Sequence, residues 1–249
     1  MEPRFGRLYA SAVLRPLAEQ VVGFLGVRPG ETACDLLCDG GTLAVAMGAA
    51  VGSQGRVVLV DTDPALLNTA LPDVSATGCG VSTQVAIAGG APLAGESCDR
   101  VASLCTLGFW EGGSLLKVAE YATRPGGRAA MLTWDVSRPP LHETALADAI
   151  REVVGIDSPF LVRCLASPDP DESVGWQPVT VQDVVRFDGI GSYWSAMVDE
   201  RPIAGELARE SEAALRDIRA VCQRALDPCT AADGTMRIPI RATLWCSSP

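Results

Sequence analysis

The segment Asp35-Leu36-Leu37-Cys38-Asp39-Gly40-Gly41-Thr42 joins a short apolar run, Glu31 to Leu37, to a stretch of small helix-forming residues, Gly40 to Val51. A glycine-bearing turn between a strand and a helix gathers backbone N–H groups and the positive end of the helix dipole at one spot, where an anionic or polar ligand group can bind. About 20 residues further on, the apolar run Arg56 to Val60 ends in Asp61, followed by Thr62. A carboxylate placed there can accept both hydroxyls of a ribose through charge-assisted hydrogen bonds. His142 is the only histidine in the chain and the natural candidate for a general base, although a lone histidine at a helix start is more often a surface or capping residue. The nine cysteines include no CxxC pair and no histidine at zinc spacing. They read as reduced thiols that fill the core, and no metal site is expected.

These residues need a scaffold of alternating strands and helices, and the hydropathy pattern supplies one. A helical stripe covers Leu8 to Leu25 and ends at Gly26 before Arg28-Pro29-Gly30. Strands are expected at Glu31–Leu37, Arg56–Val60, Val81–Ile87, Asp99–Leu104 and Arg128–Trp134, with helices at Gly40–Val51, Ala65–Leu71 and Ser114–Thr123 between them. Strand, helix, strand in succession predicts a parallel sheet covered by helices on both faces. Beyond Trp134 a helix is expected at Leu141–Val154, an irregular lid or connection at Ser158–Pro178, a strand at Val179–Phe187, a long helical region over Ser192–Leu226 and a closing strand at Thr235–Cys246. Acids and arginines at helical spacing over Glu206 to Arg224 predict a solvated face. The expected organisation is a single domain, with a helical cover (1–27), a cofactor-binding core (28–135), a lid and substrate region (136–178), and C-terminal strands and helices (179–249).

Composition narrows the function. Thirty acidic against 20 basic residues give a formal charge of −10, which removes long-range attraction to phosphate backbones or anionic lipid. Nucleic acid is not an expected partner. No uncharged apolar run reaches about 18 residues, so no membrane span is expected. Arg4, Arg7 and Arg15 break the start of the chain, which is unlike a signal peptide, and the expected location is the cytoplasm. A single lysine beside 19 arginines, with abundant Ala, Gly and Pro, looks like the coding bias of a GC-rich bacterium.

The ordered segments VRPGE, DLLCDGGT, GRVVLVDTDPALL, APLAGESCDRVAS, RPGGRAAMLTW, RFDGIGSYW and DGTMRIPIRATLW resemble the class I S-adenosylmethionine-dependent methyltransferases. The likeness is greatest to the quinone-biosynthesis C-methyltransferases and the small-molecule methyltransferases of natural-product pathways. It implies an α/β, Rossmann-like, doubly wound sheet of seven strands, mostly parallel with the last antiparallel, under an N-terminal helical cover and a lid insertion. It also implies S-adenosylmethionine as cofactor, with Asp35, Leu37, Asp39, Gly41, Asp61, Thr62, Ile87, Ala88 and Cys105 at the positions that hold it. Three of these depart from the family. The pattern at the first turn is roughly DxGxGxG, and this chain has Leu37 and Asp39 at the first two glycine positions. Asp39 brings a carboxylate toward the cofactor's own, a repulsion of about 3 kcal/mol at about 6 Å and an effective dielectric near 20. Ile87 stands where relatives carry an aspartate for the adenine amino group.

Tyr9 falls on the helix that covers the pocket in this family, and with His142 it is the candidate catalytic residue; simple packing is the commoner role for such a tyrosine. Trp110, Trp134, Trp176 and Trp194 could line an apolar pocket. Three functions compete. The first is methyl transfer to a small, largely apolar metabolite of secondary metabolism, with a homodimer compatible with it. The second is a non-methylating cyclase or pericyclase on the same fold, in which shape and desolvation do the work. The third is a noncatalytic partner subunit.

Overall fold

Apolar runs too short for helices alternate here with amphipathic stretches, and each run finds a partner strand. The computed structural model describes residues 4–86, 97–110, 114–165 and 175–247. The chain begins with α1 (Arg7–Tyr9), a π-helical turn (Ala10–Leu14) and α2 (Arg15–Leu25), then β1 (Thr32–Leu36), α3 (Thr42–Val51), β2 (Arg56–Asp61), α4 (Pro64–Ser75) and β3 (Gly80–Val85). It continues through β4 (Cys98–Leu104), α5 (Leu115–Ala122), β5 (Thr123–Trp134), α6 (Leu141–Val154), α7 (Pro159–Cys164) and β6 (Trp176–Phe187). Last come α8 (Ile190–Trp194), a second π-helical turn (Ser195–Asp199), α9 (Ile203–Leu207), α10 (Glu212–Leu226) and β7 (Met236–Ser247).

The seven strands lie in the order β3-β2-β1-β4-β5-β7-β6. The neighbours from β3 to β5 pair in parallel, while β7 runs antiparallel to both β5 and β6. This is the doubly wound sheet with an antiparallel last strand that the family resemblance implies. Strand order reverses between β1 and β4, so the carboxyl ends of β1, β2 and β4 open onto the switch point where ligands bind in such sheets. Every residue of β4 is buried, as expected of a strand covered on both faces. One apolar layer joins the N-terminal helices, α3, α6 and α10. A smaller layer under α5 covers the other face.

Three expectations need correction. The stretch from Ser158 is not all irregular: the Ser158 hydroxyl accepts from the Leu161 N–H at 3.2 Å and starts α7, and β6 begins at Trp176, three residues before the expected strand. The helical region from Ser192 breaks, because Pro202 has no N–H to continue a helix and Ser211 caps a new one through the Ala214 N–H at 3.1 Å. Within the predicted solvated face Glu206 is half-buried, accepting from the Ser158 hydroxyl at 2.5 Å and the Phe160 N–H at 3.0 Å. The rest of that face, on α10, is exposed as expected at Glu212 and Arg216.

Candidate functional site

The turn after β1 passes through left-handed backbone at Leu37 (φ 56°), Asp39 (φ 48°) and Gly41 (φ 82°). Gly41 has no alternative, since a Cβ there would lie 2.8 Å from the Ala70 Cβ. Leu37 and Asp39 follow the same path with side chains attached, at about 1–2 kcal/mol each. Asp35, at the end of β1, is buried and accepts the Ala44 N–H at 2.9 Å. Burial pushes its carboxyl well above the usual range, and the Ala44 N–H opposes that shift. Asp35 therefore pins the first turn of α3 to the sheet.

The N-terminal segment lies across this turn. The Arg4 guanidinium grips Asp61 with two bonds, Nη1 to Oδ2 at 3.0 Å and Nη2 to Oδ1 at 2.9 Å. Both oxygens of Asp39 accept backbone N–H groups of the same segment, from Arg4 at 2.6 Å and Phe5 at 3.1 Å. The Asp39 N–H in turn donates to Asp61 at 3.1 Å. Desolvation raises the Asp39 carboxyl, while the Arg4 N–H and guanidinium pull it down. Phe5 stacks on Tyr9 with centroids 5.3 Å apart and meets Phe109 edge-on. The segment sits tight against the π turn before Arg201: a Cβ on Gly6 would come 2.5 Å from the Glu200 carbonyl oxygen.

These residues do not fit S-adenosylmethionine in this form. The carboxylate that would take the ribose is occupied by Arg4, and Asp39 and Leu37 fill the glycine positions. The space left among Phe5, Asp35, Leu37, Asp39, Leu104 and Thr106 is about 10 Å³, room for one water at most. Small-molecule sites run to several hundred Å³. A roomier groove of about 770 Å³ lies outside, between the N-terminal helices and α3, rimmed by Arg7, Arg15, Glu19 and Asp73.

A second group of polar side chains is sealed beneath the same segment. Tyr9, His142 and Glu143 are fully buried and Arg201 is nearly so. Arg201 Nη2 pairs with Glu143 Oε1 at 3.1 Å, and the Tyr9 hydroxyl donates to the same oxygen at 2.5 Å. Coulombic attraction from Arg201 carries the Glu143 carboxyl below its ordinary value against the opposing desolvation. The Arg201 guanidinium lies over the Tyr9 ring at 4.2 Å and the Phe160 ring at 4.9 Å. His142 Nε2 is 3.3 Å from the Tyr9 oxygen, and the Tyr193 hydroxyl donates to the His142 carbonyl at 2.8 Å. Burial lowers the His142 pKa to about 4, so the imidazole is neutral at ordinary pH. The two π-helical turns flank this cluster, one directly after Tyr9 and one just before Arg201; such turns recur at functional sites.

The expected residues thus fall into two neighbouring groups. Asp35, Leu37, Asp39, Gly41 and Asp61 surround the turn; Thr62 is exposed and only its hydroxyl reaches Asp61, at 3.5 Å. Tyr9 and His142 form the second group, and His142 is neither a surface nor a capping residue. Cys105 is buried at φ 57° beside that group, its thiol pushed well up by burial. Ile87 and Ala88 lie outside the described residues. Among those described, no His, Cys, Asp or Glu side chains gather in a metal-binding group. The sequence reading missed Arg4, Phe5, Glu143 and Arg201. Asp39 was the available signal for the first two, because a carboxylate in a tight turn needs donors from somewhere. Nothing in the sequence links Arg201 to Glu143.

No protein-family model and no curated protein matches the chain. Solved structures do. A putative methyltransferase from an antibiotic biosynthesis pathway of Anabaena variabilis superposes with a TM-score of 0.58 at 13% identity, over 94% of this chain and 97% of that one. A putative methyltransferase from Bacillus halodurans gives 0.55 at 12% identity over 92% and 96%. A putative type II methyltransferase from Anaeromyxobacter dehalogenans gives 0.54 at 17% identity over 99% and 97%. The fold is that of the class I methyltransferases. At these identities the likeness speaks to the fold alone.

Proposed function

We propose that this chain is a non-methylating enzyme on a methyltransferase fold, acting on a small, largely apolar metabolite while its own N-terminal segment occupies the cofactor cleft. The observation that carries this reading is the two-bond grip of Arg4 on Asp61, secured by Asp39. Asp39, a residue foreign to the glycine pattern, is what tethers the segment through both its oxygens. The chemistry available is shape, desolvation and proton handling by the Tyr9–His142–Glu143 chain, which suits a cyclisation or rearrangement whose product is isomeric with its substrate. Arg201 balances the Glu143 charge and keeps that carboxylate ionised in a dry site.

A second reading, methyl transfer with the segment withdrawn, is favoured by Asp61 at the end of β2 and by the left-handed path kept at Leu37 and Asp39. Mass spectrometry of the small molecules released on denaturing the purified protein separates the two. The non-methylating reading predicts neither S-adenosylmethionine nor S-adenosylhomocysteine; either one in stoichiometric amount overturns it.

A further inference from the structure

Among the described residues, Trp134 Nε1 and His142 Nδ1 are buried polar atoms with no hydrogen-bond partner. Their side chains are 1% and 0% exposed, and their rings meet edge to face with centroids 5.3 Å apart. An orphaned buried polar group costs on the order of 1–3 kcal/mol, and two side by side in a bonded network call for an explanation.

The two atoms are of opposite kind. An indole N–H only donates. The tautomer of His142 follows from its neighbours: the Tyr9 hydroxyl gives its hydrogen to Glu143, so its oxygen offers His142 only lone pairs, and Nε2 must carry the ring hydrogen. The imidazole is neutral, which leaves Nδ1 as a bare acceptor. A hydroxyl satisfies both atoms at once, its oxygen accepting from Trp134 and its hydrogen going to His142. The surroundings are flat and apolar. Phe5, Tyr9, Phe109 and Phe160 pack ring on ring at centroid distances of 5.3 to 6.4 Å, and Phe5, stacked on Tyr9, belongs to the segment that also plugs the cofactor cleft.

We propose that this cluster binds a flat apolar ligand bearing a hydroxyl, a phenol or an enol, with the O–H on His142 Nδ1 and the oxygen on the Trp134 N–H. This rests on the reading of the site as one for a small apolar metabolite, and it names the polar handle such a molecule must carry. Residues 4–6 must shift to admit it, with Tyr9 kept on Glu143.

Because His142 is the only histidine, protein labelled with ¹⁵N-histidine gives one Nδ1 and one Nε2 resonance. 2-Naphthol should move the Nδ1 resonance saturably, and 2-methoxynaphthalene, the same ring system without the O–H, should leave it in place and bind about tenfold more weakly. Trp134→Phe should weaken 2-naphthol binding by about tenfold. An Nδ1 resonance unmoved by 2-naphthol, the result expected if a buried water bridges the pair instead, overturns the inference, as does an equal response to 2-methoxynaphthalene. Should Trp134→Phe fail to fold, the two probes on the unaltered protein still decide. Titrating S-adenosylmethionine into the same sample keeps the two proposals apart: binding of the cofactor sinks the non-methylating reading whatever 2-naphthol does, and an unmoved resonance without cofactor binding sinks only the ligand assignment.

Discussion

Glu143 and Arg201 form a fully buried ion pair, and such pairs hold only while both members are present. Arg201→Met leaves the Glu143 charge uncompensated and should cost about 3–5 kcal/mol in urea unfolding, while breaking a solvent-screened surface pair such as Arg151–Asp148 should matter far less. His142 makes the stability depend on pH. Its folded pKa is about 4 against about 6.5 in the unfolded chain, so as pH falls the unfolded state takes up the proton first. The stabilisation is complete above pH ~6.5 and is lost between there and pH ~4, up to about 3 kcal/mol. Asp35 and Asp39, held above their ordinary values by burial, bind protons earlier when folded and offset part of the loss toward the acid end. His142→Gln should therefore flatten the slope between pH 7 and 5; an unchanged slope would show that His142 is not held neutral. Asp61 offers a cleaner contrast. In a protein that uses it only for a ribose, Asp61→Asn leaves the ligand-free fold unchanged; here it strands the Arg4 guanidinium and should cost about 1.5–3 kcal/mol without any ligand present.

At the scale of elements, the segment from Arg4 to Tyr9 depends for its place on Asp39 and on the close approach of Gly6 to Glu200. Asp39→Gly removes both acceptors, so hydrogen exchange over residues 4–14 should speed up about 10–100-fold while β1 and β4 stay protected. Unaltered exchange would mean that apolar packing of Phe5 and Tyr9 alone holds the segment. The strands of the core were legible because short apolar runs buried on both faces have few other homes; the expected Arg56–Val60 and Asp99–Leu104 differ from β2 and β4 by one terminal residue each. The helical region after Ser192 was read as continuous because periodicity is blind to what Pro202 and Ser211 do to backbone hydrogen bonds. The π turn after Tyr9 was also invisible, since inserting one residue into a helical turn leaves no mark in composition.

Across the whole molecule the alternation of strands and helices could be read from the succession of segments, the antiparallel last strand only through the family resemblance, and the sheet order not at all; the solved methyltransferases share that architecture. The site was half legible. The sequence pointed to Asp35 and Asp61 by position and to Tyr9 through the family resemblance, but it could show Asp39 only as a charge facing a cofactor. The partners that satisfy it, the N–H groups of Arg4 and Phe5, become its neighbours only through tertiary folding across 35 and 34 positions of chain. In the proposed function Arg4 and its neighbours stand where the cofactor would bind. Calorimetry with S-adenosylmethionine on the unaltered protein and on Arg4→Ala tests it most directly. No measurable heat of binding up to about 1 mM is expected for the unaltered protein, and at least a tenfold gain for Arg4→Ala, which frees Asp61. Micromolar binding to the unaltered protein, with Arg4→Ala no tighter, would contradict the proposal.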